Sequence, residues 1–205
     1  MPGEVLLFKE VEMRRTVFCL VILMAVAPVA MGQAITSFVG GTEYDSYYGS
    51  ASGDVVGYRF TVSAPLEIAM LGVHVDTTTP GIQSPHQVGI WDGSQALLRS
   101  TTVDGTGTVI GDWMYAPISV VTLVPGQNYT IGALYFSADN DWYISGASSV
   151  TTDPNVTWIN AVYPTAAELG FAYPGLDSSP SSVGRFGPNF TFVVVPVELQ
   201  SFSVE

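Results

Sequence analysis

What most constrains this chain is the alternation within its short apolar runs. In "VVGYRFTV", Val56, Tyr58, Phe60 and Val62 share one parity, and Gly57, Arg59 and Thr61 share the other. Successive side chains of a strand point to opposite faces, so this run buries one face and spares the other. "APLEIAMLGVHV" (64–75) reads as a second strand opened by Pro65, which cannot donate to a ladder. "QVGIWDGSQALLRSTTV" (87–103) reads as a hairpin turning at Asp92-Gly93-Ser94-Gln95. "ISVVTLVPGQNYTIGALYF" (118–136) repeats the pattern around Pro125-Gly126, a pre-set φ followed by a permissive one. "DWYIS", "VTWINAVY" and "PNFTFVVV" supply later strands, and Thr165 to Gly187, rich in Pro, Ser and Gly, reads as a long loop. Helical periodicity is nearly absent. Eight or more short strands bury their faces best as two packed sheets. The expected fold is therefore all-β, a two-sheet antiparallel β-sandwich over about 37–195. Its predicted core is Val56, Tyr58, Phe60, Val62, Val88, Ile90, Leu123, Tyr129, Ile131, Phe190 and Phe192.

The N-terminal region predicts an address. Arg14 and Arg15 precede an apolar run from Thr16 to Val29, and Ala30 and Gly32 are small residues of the kind that precede a cut. A membrane span needs about 20 apolar residues, and this run is shorter. Residues 13–32 are expected to be a signal peptide, cleaved near Gly32 or Ala34, which implies a secreted or cell-envelope protein. Residues 1–12 carry Glu4, Glu10 and Glu12, the wrong charge for the start of a signal. Lys9-Glu10-Val11 can be encoded AAG-GAG-GTN, a bacterial ribosome-binding sequence just before Met13. Residues 1–12 are thus expected to be a start extension upstream of the true initiator. Codons AAA or GAA at positions 9 and 10 would refute that.

Beyond residue 32 the chain has no lysine and no cysteine, and its only basic residues are Arg59, Arg99 and Arg185. Fifteen acidic residues face those three arginines and account for the whole net charge of −12. Phosphate backbones require clustered Lys and Arg, so nucleic acid is excluded as a partner. No disulfide framework or thiolate chemistry is available there, which leaves stability to core packing.

"LVPGQNY" (123–129) has the spacing of a tyrosine corner, in which the phenol bonds back to upstream backbone at an inter-sheet crossover. The order of "VGYRFTVSAPLEIAMLGVHVD", "HQVGIWDGSQALLRSTTV", "VTLVPGQNYTIGALYF" and "RFGPNFTF" also resembles a bacterial secreted domain family of unknown function, common in proteins with PEP-CTERM-type sorting tails. The resemblance covers roughly Tyr58 to Phe192. It implies a jelly-roll-like sandwich related to carbohydrate-binding modules, with no catalytic residues to carry over. The sequence departs from that family in ending "PVELQSFSVE", without an apolar span or basic tail; residues 196–205 read as a tail or linker.

Site candidates are sparse. In "SPHQVGIWDG", Val88 and Ile90 face the core, so Trp91 faces the other side or a second layer. His86 and Asp92 lie about 20 Å apart along the strand, at ~3.3 Å per residue, too far for a dyad. A His74–Asp76–His86 metal set is weaker than two histidines at the solvent edge. No G-x-S-x-G elbow occurs, and the glutamates are scattered, so the chain is expected not to be an enzyme. The aromatics Tyr44, Tyr47, Tyr48, Trp113, Tyr115, Trp142, Tyr143, Trp158 and Tyr163 are the remaining handle. Sugar rings stack on flat aromatic faces while Asp and Asn accept their hydroxyls. Trp142 and Tyr143, with Asp139 and Asp141 beside them, are the candidate ligand-binding residues for a polysaccharide or cell-surface glycan. Asp139 and Asp141 are also weak candidates for a structural calcium. The plainer alternative is a structural or matrix protein of the envelope, with most aromatics in the core.

Overall fold

The computed structural model describes residues 31–49, 51–75, 81–137, 140–178 and 183–195. The start extension, nearly all of the expected signal, the tail, Asp76 and Asp139 lie outside the described residues. Among those described there is no helix, and hence none that could cross a membrane.

The chain opens with β1 (Gly32–Gln33), β2 (Ile35–Val39) and β3 (Thr42–Tyr44), then the long β4 (Asp54–Val62) and β5 (Leu66–His74). Next come β6 (His86–Trp91), β7 (Leu97–Val103), β8 (Thr108–Ile110), β9 (Trp113–Leu123) and β10 (Tyr129–Tyr135). β11 (Tyr143–Ser145), β12 (Ser149–Thr152), β13 (Val156–Tyr163), β14 (Leu176–Asp177), β15 (Gly184–Phe186) and β16 (Pro188–Val194) complete the order. One large sheet runs β1-β16-β5-β9-β8 and the other β14-β13-β4-β10-β6-β7. Two small sheets, β15-β11-β3 and β12-β2, complete the described strands. The ladders are antiparallel.

The two large sheets face each other in a sandwich-like arrangement. Phe60 on β4 meets Phe190 on β16 with ring centroids 4.9 Å apart, and Tyr129 on β10 packs on Phe60 at 5.8 Å. Every predicted core residue lies in this buried cluster. Alternation sufficed to find them because one face of each strand meets the opposite sheet. The β9–β10 turn crosses between the sheets at Pro125-Gly126, with Gly126 at φ +83°. There the Tyr129 hydroxyl accepts from the Val124 N–H at 2.9 Å and donates to the Val124 carbonyl at 3.3 Å, as a tyrosine corner requires.

The outer face of the β4-containing sheet is covered as well. Trp91, Val55 and Leu134 form a second cluster with Phe171 and Tyr173 of the segment before β14. Trp91 therefore serves a second layer, one of the two outcomes its parity allowed. Gly57, Gly132 and Gly89 stand in register across β4, β10 and β6. A methyl on Gly89 would overlap the rings of Phe171 and Trp91, so this glycine makes room for the covering aromatics.

Two expectations need correction. The segment 165–187 is not one long loop: it contains β14 and β15 and folds back over the sheet. Sheet pairing also starts at Gly32, before residue 37, with Gly32 opposite Phe192 and Ala34 and Ile35 fully buried. "GQAI" was hard to read as strand because it abuts the small residues of the expected cleavage site.

Candidate functional site

The small sheet β15-β11-β3 carries the cavity. Tyr44 on β3 is paired with Tyr143 on β11, and their rings stack at 5.8 Å and 22°. On the other side of β11 the register slips: Ile144 opposes Phe186, but Ser145 opposes Gly184. Arg185 is the extra residue of this bulge, at φ +60°. A bulge bends the strand and re-aims its side chain. Tyr44, Ser46, Tyr47, Tyr143, Ser145 and Arg185 line a cavity of about 240 Å³.

The wall between β3 and β4 is held by Asp54, the fully buried first residue of β4. Its carboxylate accepts from the Ser46 hydroxyl at 2.7 Å, the Tyr47 N–H at 3.0 Å and the Tyr48 N–H at 2.9 Å. The Ser46 hydroxyl accepts in turn from the Gly49 N–H at 3.0 Å. A buried carboxylate stays in place when its oxygens are met by donors, and here they fix a loop that presents two tyrosines. Tyr47 and Tyr48 meet edge to face at 4.7 Å and remain 41% and 42% exposed, as Tyr44 does at 45%. Such exposure in large aromatics on a held loop suits contact with a ligand.

The Arg185 guanidinium lies 4.6 Å from the ring centroids of both Tyr47 and Tyr163. Its Nε and Nη2 donate to the Ser178 hydroxyl at 3.2 and 3.1 Å. Burial pushes the Tyr143 phenol well above its ordinary pKa, opposed by Arg185 and reinforced by Asp54, Tyr44 and Asp45. Tyr48 is raised too, by desolvation first and then by Tyr47, Tyr163 and Asp54. These phenols are therefore neutral at physiological pH; the Tyr48 hydroxyl donates to the Pro164 carbonyl at 3.2 Å.

The four sequence candidates separate. Tyr143 lines the cavity. Trp142, half-buried, precedes β11 and is not among the lining residues. Asp141 is turned to the chain before β6 and to His86. Its oxygens accept from the Gln83 N–H at 2.8 Å, the Ser84 N–H at 2.8 Å and the His86 ring at 3.0 Å. Asp139 lies outside the described residues. His86 is not at the solvent edge as expected: it is fully buried, with Nδ1 2.7 Å from the Leu134 carbonyl and Nε2 on Asp141. That contact pins the start of β6 to the chain entering β11. His74 lies on β5 among Phe38 and Trp113. Among the described residues no group of three or more His, Cys, Asp or Glu side chains is placed to hold a metal. Trp113 is buried and offers no open stacking face, and Trp158 is half-buried against the core.

Sequence reasoning missed Arg185, Ser46, Ser145 and Asp54. "TEYDSYYG" held the one available signal, three tyrosines in five residues around two polar ones. No protein-family model matches the chain, and no curated protein matches it.

Proposed function

We propose that the chain is a secreted, non-catalytic module of jelly-roll-like sandwich type that binds a glycan in the tyrosine-walled cavity. The observation that carries this reading is the convergence of the exposed Tyr44 and Tyr47 rings, beside the buried Tyr143, on one small cavity that Ser46, Ser145 and Arg185 also line. Flat apolar faces beside hydrogen-bonding groups are what a pyranose ring needs for stacking and orientation. The cavity's size suits one ring rather than a long chain, so contact is with a single residue or chain end. Two features of the sequence favour the same reading: the expected signal segment and the resemblance to carbohydrate-binding-like secreted domains. The bound material is polysaccharide or cell-surface glycan; beyond residue 32 the chain lacks the clustered Lys and Arg that a nucleic-acid backbone or an anionic bilayer needs. A glycan array probed with the secreted chain tests the proposal. Retention on a discrete set of glycans, competed by the free sugar, is expected. An array with no retained glycan would overturn it and favour a structural role in the envelope.

A further inference from the structure

Resting on the glycan reading, we infer that the sugar carries a carboxylate, as a uronic acid does, and that Arg185 receives it. Arg185 is the only buried arginine among the described residues, at 8% exposure. Arg59 is neutralised by Asp177, and Arg99 is exposed and donates to the Ser119 and Leu98 carbonyls. Arg185 forms no ion pair among the described residues, and its hydrogen bonds there go to one neutral hydroxyl. A buried charge is costly unless it is paired. Asp54 contributes negative field nearby, but its oxygens are turned to Ser46, Tyr47 and Tyr48.

The guanidinium is held ready rather than stored. Tyr47 and Tyr163, packed on each other at 4.6 Å, both lie 4.6 Å from it, the Ser178 hydroxyl fixes Nε and Nη2, and Arg185 lines the cavity from a bulge in left-handed backbone. The side-chain hydrogen bonds of Arg185 to described residues use Nε and Nη2 and none uses Nη1, and a planar fork matches a carboxylate. Tyrosine cages also suit cations, yet Arg185 already covers a face of Tyr47 and would repel a second positive charge. A neutral sugar would leave the guanidinium without a directly paired anion.

The test is calorimetry of the full secreted chain with three probe sets: oligogalacturonate, oligomannuronate and hyaluronan tetrasaccharide; their carboxyl-reduced counterparts; and a sulfated, uronate-free galactan oligosaccharide. At least one uronate should bind more than tenfold tighter than its carboxyl-reduced form. Arg185→Gln should abolish that preference at unchanged melting temperature, Arg185→Lys should keep part of it, and Arg99→Gln should change nothing. Equal binding of acid and reduced forms, or preference for the sulfated probe, would overturn the carboxylate assignment and leave the glycan reading standing. No binding of any probe, with the array retaining only neutral glycans, would overturn it equally. A blank array would remove both readings together.

Discussion

Arg185 holds a backbone conformation that L-residues with a Cβ adopt at a cost of about 1–2 kcal/mol. The bulge on β15 imposes it, and the return is a guanidinium placed beside the packed rings of Tyr47 and Tyr163. Asp54 shows the complementary case, a buried carboxylate whose oxygens meet a hydroxyl and two backbone N–H groups. Asp54→Ala leaves those donors without an acceptor, at about 1–3 kcal/mol for a buried unmet group. A lower melting temperature together with loss of glycan binding is expected, because the same loop carries Tyr47. Binding that survives the substitution would show that the loop does not need Asp54 to present its rings. Phe60 is fully buried against Phe190 and Tyr129, so Phe60→Ala should cost ~3–5 kcal/mol in chemical denaturation. A change near zero would mean that the two sheets do not pack through this residue. Phe60 was legible in the sequence because parity alone decides its face. Arg185 was not, because its direction depends on a one-residue register slip that no local pattern announces.

Hairpins and crossovers were the most legible elements, since their turns carry their own chemistry. Asp92 opens the β6–β7 turn, and its carboxylate accepts from the Ser94 hydroxyl at 2.7 Å, the Ser94 N–H at 2.9 Å and the Ala96 N–H at 3.0 Å. Gln95 closes the turn at φ +70°, and the ladder slips by one residue between Ile90 and Trp91. The Ser94 hydroxyl first, then the Ala96 and Ser94 N–H groups, hold the Asp92 pKa below the ordinary carboxylate value. A depressed folded pKa contributes stability that is present above the unfolded value of about 3.9 and lost as pH falls through the folded one. NMR titration should therefore find the Asp92 carboxyl titrating below that value, with the Ser94 and Ala96 amide shifts following it. Titration at the ordinary value would deny the turn its side-chain bonds. The tyrosine corner was legible for the same reason: Pro125, Gly126 and Tyr129 act within seven residues. The short strands β2, β3, β8 and β12 were not, because three to five residues carry too little alternation to separate strand from turn. The His86–Asp141 contact joins residues 55 apart in sequence, beyond any motif.

At the scale of the molecule, the sandwich-like pair of large sheets is a scaffold, and the small sheet β15-β11-β3 carries the cavity proposed to hold the glycan. Three separate segments, 44–47, 143–145 and residue 185, build the cavity wall. The sequence pointed to aromatics as the functional handle and named Tyr143 with Trp142 and its acidic neighbours; of these, only Tyr143 lines the cavity among the described residues. Trp142 precedes β11 outside the cavity lining, Asp141 is turned to His86 and the 83–84 backbone, and the exposed rings are those that the Asp54-held loop and β3 present. The most direct measurement is glycan retention and melting temperature for the double variant Tyr44→Ala/Tyr47→Ala beside Trp142→Ala, against an array-identified sugar. The cavity reading predicts that the double variant loses retention at nearly unchanged melting temperature while Trp142→Ala retains it; retention kept by the double variant, or lost only with Trp142, would contradict it.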